Sequence, residues 1–101
     1  MEGGASISSD VLARYAADAA AEVTGVRELS ESHRPGRRGV RVIRDEGRIS
    51  LELRVRLDAG ASAPKVGAEL QRRVRDYLKR MANVEVAAVD VVVDEIGPPV
   101  P

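Results

Sequence analysis

From Ile49 to Leu57 apolar and polar residues alternate without a break: Ile49, Leu51, Leu53, Val55 and Leu57 are separated by Ser50, Glu52, Arg54 and Arg56. A period of two predicts a β-strand with one buried and one polar face. Just upstream, Gly39 to Arg44 reads as a second strand, and Asp45-Glu46-Gly47-Arg48 as the hairpin turn between them. Pairing Arg44 with Ile49 sets Val42 against Leu51 and Val40 against Leu53. It also sets Arg41 opposite Glu52 and Asp45 opposite Arg48, both opposite-charge pairs. A slip of one residue would put Val42 against Ser50, so the first register is expected.

Two segments repeat at the helical period instead. Val11, Leu12, Tyr15, Ala16, Ala19, Ala20 and Val23 form one stripe, with Ser8 or Ser9 as cap and Asp10 in the first turn. Arg14, Asp18 and Glu22 line its solvated side. Gly25 is expected in the C′ position, which gives a helix over about 9–24. Val66, Leu70, Val74, Tyr77, Leu78 and Met81 form a second stripe. Ser62 caps it, Pro64 sits in its first turn, and Asn83 ends it.

A short strand is expected over about Val26 to Ser30, and a last one over about Val84 to Val93. In the last strand Val84 and Val86 share one parity, while Val89, Val91 and Val93 take the other. The change at Ala87-Ala88 predicts a β-bulge. Residues 31–38, with Pro35-Gly36, read as a loop. The resulting order is α-β-β-β-α-β: an α+β fold in which two helices pack on one face of a small mixed β-sheet and leave the other open. One domain over 6–96 and a disordered Pro-rich tail over 97–101 are expected.

Composition narrows the function. The chain has no Cys, Phe or Trp and only two Tyr, so Val, Leu, Ile and Ala must build the core. Disulfides, thiol nucleophiles and thiolate metal sites are excluded. Residues 1–9 lack the features of a signal peptide, and no apolar run reaches the roughly 18–20 residues of a membrane span. A domain of this size buries only roughly 60–65% of its unfolded surface, so modest monomer stability is expected, which leaves room for self-association. The formal net charge is zero, but its distribution is uneven. Residues 33–56 hold eight Arg and three acids, whereas residues 81–101 hold four acids and no base. Local fields of this kind steer partners despite a neutral total.

Catalytic equipment is sparse. His33 is the one histidine and has no Cys or second His to share a metal; it reads as a loop side chain. The serines fall in caps, loops and strand faces, outside any nucleophile elbow. Asp45 and Glu46 are explained by the hairpin turn. No cofactor, metal or small-molecule substrate is expected, and the chain is read as no enzyme. Gly36-Arg37-Arg38-Gly39 matches the GxxG clamp of KH domains, but it leads into a strand rather than joining two helices. The candidate partner-binding residues are Arg34, Arg37 and Arg38 in the loop and Arg41, Arg54 and Arg56 on the sheet face away from the helices. They read either as a solvated face or as a docking surface for an acidic partner, another copy's acidic ends or anionic lipid.

The ordered set of these segments resembles the alkaline-shock-protein family of bacterial general-stress proteins, the Gls-type family. The resemblance rests on Ile7-Ser8-Ser9-Asp10-Val11, on Ala19 to Val26, and on Gly39-Val40-Arg41-Val42. It continues through Asp58-Ala59-Gly60, the helix bearing Val66, Gln71, Val74 and Met81, then Val84-Glu85-Val86 and Val89 to Val93. Ala59 stands where members often carry an aromatic, and Asn83 where they carry Gly. The resemblance implies a non-enzymatic role in envelope stress or homeostasis. It also implies a cytoplasmic scaffold beneath the membrane that binds other copies and a small membrane-anchor protein. The alternative is a nucleic-acid-binding module using the Arg-rich loop and hairpin. These readings separate by salt: phosphate contacts make affinity fall steeply with ionic strength. Only weak, sequence-blind binding to DNA or RNA at physiological salt is expected; tight binding abolished by Arg37→Ala with Arg38→Ala, measured by fluorescence anisotropy, would favour the alternative.

Overall fold

The computed structural model describes residues 7–30 and 39–97. Along them run α1 (Ser9–Ala21), β1 (Val26–Leu29), β2 (Val40–Asp45), β3 (Arg48–Leu57), α2 (Ala63–Ala82) and β4 (Ala88–Ile96). The α-β-β-β-α-β order and the mixed sheet agree with the sequence pattern.

Every strand pairs with β3. β2 runs antiparallel to it with Val40 against Leu53, Arg41 against Glu52, Val42 against Leu51, Arg44 against Ile49 and Asp45 against Arg48. This is the register expected from side-chain parity. Glu46 and Gly47 form the two-residue turn, with φ of 50° and 79°. β1 is antiparallel to the far end of β3, with Val26 against Leu57 and Leu29 against Val55. β1 and β2 therefore lie end to end along one side of β3. They meet at Arg54, whose carbonyl accepts from the Ser30 N–H and whose N–H donates to the Gly39 carbonyl, both at 2.8 Å. Ser30 and Gly39 thus adjoin at this edge. The junction is crowded: a Cβ on Gly39 would lie 2.6 Å from the Ser30 carbonyl oxygen, and φ there is +59°. Both facts require glycine.

β4 lies on the other side of β3, parallel to it, with α2 as the crossover. The parity break at Ala87-Ala88 proves to be the start of the strand. Residues 84–87 form no strand and lead into it, with Val84 and Val86 buried. The register irregularity sits later: Val55 pairs with Val93 and Arg56 with Glu95, so Asp94 is the extra residue. Gly97 follows, its N–H donating to the Leu57 carbonyl. The rest of the expected tail, residues 98–101, lies outside the described residues.

Both helices cover the face of β3 that carries Ile49, Leu51, Leu53, Val55 and Leu57, all buried. The Ser8 hydroxyl accepts from the Val11 N–H at 3.1 Å and caps α1. α1 ends at Ala21 rather than near 24. Val23 turns into the core, and Gly25, with φ +99°, makes the following turn. A Cβ there would lie 2.8 Å from Val66 Cγ2, so the connection passes tightly against the first turn of α2. α2 is capped by Ser62 and closed by Asn83 in the left-handed conformation, with φ 54°. Val66, Leu70, Val74, Leu78 and Ala82 are its buried stripe, whereas Met81 is half exposed. Tyr15 and Tyr77 meet edge to face between the helices, centroids 6.0 Å apart.

Leu53 is wholly buried in the central strand. Leu53→Ala should cost roughly 2–5 kcal/mol through lost burial and a cavity. Exposed Arg41→Ala on the neighbouring strand should cost less than about 0.5 kcal/mol. Urea unfolding of both variants checks the assignment of faces.

Candidate interaction surface

The pairing pattern carries every second side chain to the face opposite the helices. β2 contributes Arg41, Ile43 and Asp45. β3 contributes Arg48, Ser50, Glu52, Arg54 and Arg56, and β4 contributes Ala88, Asp90, Val92 and Glu95. Glu28 joins from β1, opposite Arg56. Arg41, Arg54 and Arg56 thus share the open face.

Two of these arginines are already engaged. Arg54 reaches Asp94 with Nη2 at 2.9 Å from Oδ1 and Nε at 3.4 Å from Oδ2. Arg56 Nη1 lies 2.9 Å from Glu28 Oε2, and its Nε lies 3.6 Å from Glu95 Oε1. The middle of the face is therefore a lattice of opposite charges. The Ser30 hydroxyl and then the Arg54 guanidinium hold the Asp94 carboxyl below the usual carboxylate range. Asp94 in turn raises Arg54, by its hydrogen bond first and its charge second. Reversing Arg54 would set a carboxylate beside Asp94, so such a change perturbs the sheet as well as its surface.

Sequence reasoning found the arginines and missed their partners. Glu28 lies 28 positions from Arg56, and Asp94 lies 40 from Arg54. For Asp94 and Glu95 the sequence signal is the all-acidic stretch after residue 80, and it points to Arg54 and Arg56 only once β4 is known to flank β3. Arg34, Arg37 and Arg38, together with His33, lie outside the described residues. Ser30 and Gly39, the described residues that flank them in the chain, adjoin Arg54.

Arg44 falls on the helix side of β2, where its guanidinium donates to the Ser9 hydroxyl at 3.0 Å and to the Ile7 carbonyl. It ties the entry of α1 to the hairpin. A polar cleft of about 100 Å³ lies between the helices, bordered by Glu22, Arg72, Arg73, Asp76, Tyr77 and Arg80. Arg72 is paired there with Glu69 at 2.7 Å and Asp76 at 3.5 Å, and Arg73 with Glu69 at 3.3 Å. These cations are largely spent within the helix. A second, shallow groove of about 400 Å³ runs between α2 and β4. Ala63, Gly67 and Ala68 leave it open above Val91 and Val93. Gln71 crosses it to donate to the Val89 carbonyl at 2.9 Å. Among the described residues no group of three His, Cys, Asp or Glu side chains is placed to hold a metal. None of their helices is long and apolar enough to cross a membrane.

Three solved structures share this architecture at low identity. A histidine-to-alanine variant of the MamM CTD aligns with TM-score 0.59 and 15% identity, over 87% of this chain and 98% of that one. A valine-to-arginine variant of MamM aligns with TM-score 0.56 and 14% identity, over 85% and 83%. The manganese form of a glutamate-to-aspartate MamM CTD aligns with TM-score 0.56 and 15% identity, over 85% and 96%. At these identities the likeness is one of fold. No curated protein matches the chain. The model of the alkaline-shock-protein family, described as having a cell envelope-related function, matches residues 1–98.

The depressed Asp94 carboxyl links this surface to pH. A group whose folded value lies below its ordinary 3.8 contributes stability that is present above that value. The contribution is lost as pH falls through the lowered value. Asp94→Asn removes it, so the variant should melt below the native chain at about pH 6, and the gap should close by about pH 2–3. Thermal melts across that range test this.

Proposed function

The chain belongs to the alkaline-shock-protein family, whose function is cell envelope-related, and on that premise we propose that it acts at the envelope as a non-enzymatic scaffold. It binds other copies of itself and a small membrane-anchor protein, and serves envelope homeostasis under stress. The observation that carries this reading is the surface itself. A half-covered sheet offers an extended charged face and, among the described residues, edges without a strand partner. Extended faces and edges bind polypeptide by cross-strand and backbone pairing. In this reading the chain sits in the cytoplasm and reaches the inner face of the membrane through its anchor. The nucleic-acid alternative loses force where Arg54 and Arg56 are neutralised by acids of the same chain. Phosphate binding needs cations free to release counterions.

Cell fractionation of the tagged full chain, followed by capture from membranes solubilised in mild detergent, tests the proposal. The chain should sediment with membranes, be stripped from them by alkaline carbonate as a peripheral protein, and bring down untagged copies and a small membrane protein. Recovery wholly in the soluble fraction, bound to nucleic acid, would overturn it.

A further inference from the structure

The sheet ends on both sides without a strand partner among the described residues: β1 and β2, end to end, form one rim and β4 the other. Unpaired edges of this length recruit further strands unless they are blocked. We propose that the β4 edge of one copy pairs antiparallel with the β2 edge of a second copy, continuing the sheet with the helices on the same side. This rests on the self-association reading above and names the surfaces that perform it.

Charge complementarity on the page selects this occupant. One open-face row crosses the whole sheet as Arg41, Glu52 and Asp90. Arg54 and Arg56 in the middle are paired within the chain. Arg41 on one rim and Asp90 on the other are both exposed, and neither has a partner among the described residues. In this row the two rims thus present opposite charges that no ion pair engages, while the exposed Asp45 lies four residues further along β2. Direction agrees as well. β2 is antiparallel to β3 and β4 is parallel to it, so copies laid side by side present β4 and β2 in antiparallel sense.

Parity then fixes a register. Asp90 faces Arg41 of the second copy, and Ala88 faces its half-exposed Ile43 on the same open side. On the helix side Val89 faces Val42 and Val91 faces Val40. This register joins opposite charges and apolar pairs on their proper faces. Arg54 N–H bonds the Gly39 carbonyl, so Val40, Val42 and Arg44, at alternate positions, turn their backbone groups to the outer rim of β2. On β4 the Val89 carbonyl takes a substitute bond from the Gln71 side chain. Above that rim the groove over Val91 and Val93 is walled by small residues of α2. α1 packs over β1 and β2, so the second copy carries its own α1 toward this groove. Such contact joins different surfaces of two copies and does not close on itself as a two-fold dimer does.

Charge-swap sedimentation of the full chain tests the pairing. The native chain should show a concentration-dependent series extending beyond two copies. Arg41→Asp alone and Asp90→Arg alone should each associate roughly three- to tenfold more weakly. An equimolar mixture of the two variants, and the double variant, should recover native association, because each junction again joins opposite charges. Melting of every variant shows that the fold is retained, and a variant that melts early is replaced by Arg41→Gln or Asp90→Asn, which should weaken association less than the reversals. A native chain that stays monomeric overturns both this pairing and the self-association reading. Native association that the single reversals leave unchanged, or that the mixture does not recover, overturns the edge pairing alone. A series that stops at two copies also overturns it, in favour of a closed β4–β4 pair.

Discussion

Everything in this fold is bonded to one strand. β3 takes β1 and β2 along one side and β4 along the other, and its five odd-numbered side chains from Ile49 to Leu57 form the floor on which both helices rest. A central strand in a small sheet cannot be shifted by one residue without carrying five large apolar side chains into water and polar ones into the core. That cost locks the register of three partner strands at once. It also explains why a core without Phe or Trp suffices: the aliphatic side chains are concentrated where two layers meet, and alanines on α1 let that helix approach closely.

The same strand organises the charges. Because β3 is central, Arg54 and Arg56 come within reach of acids on both flanks, Glu28 from β1 and Asp94 and Glu95 from β4. The extra residue at Asp94 brings two consecutive carboxylates onto two neighbouring β3 arginines, which an unbroken alternation would have pointed to opposite faces. Exposed pairs of this kind contribute little stability singly. Their larger effect is to quench the field in the middle of the face and leave it at the rims. A surface that looks Arg-rich along the chain becomes balanced at its centre and polar from edge to edge.

The helices show where local signals run out. Both N-terminal caps, Ser8 and Ser62, and the left-handed Asn83 were legible, since caps depend on a few neighbouring residues. The end of α1 was not. Gly25 looks like a helix terminator, yet the helix stops at Ala21, because burying Val23 and passing Gly25 against Val66 are demands of a contact with α2, far along the chain. Met81 continues the apolar stripe of α2 by spacing but faces outward near the helix end, where Ala82, Val84 and Val86 fill the remaining space. The valine parity change before β4 was likewise visible. Whether it marks a bulge or a strand start depends on where β3 stops offering partners.

By itself the sequence determined the order of elements, the buried face of β3 and the β2–β3 register, because these follow from periodicity and from residues joined by a two-residue turn. It also determined the absence of cysteine chemistry. Only the tertiary structure decided that β1 and β2 share one side of β3, that β4 takes the other in parallel, and that Gly39 must admit the chain beside Ser30. From those decisions follow the partners of Arg54 and Arg56 and the opposite charges left on the two rims. The physical reason is range. Side-chain period and capping act over a few residues, whereas strand order is set by how two helices and four strands can be accommodated around one shared apolar floor, and no local pattern encodes that.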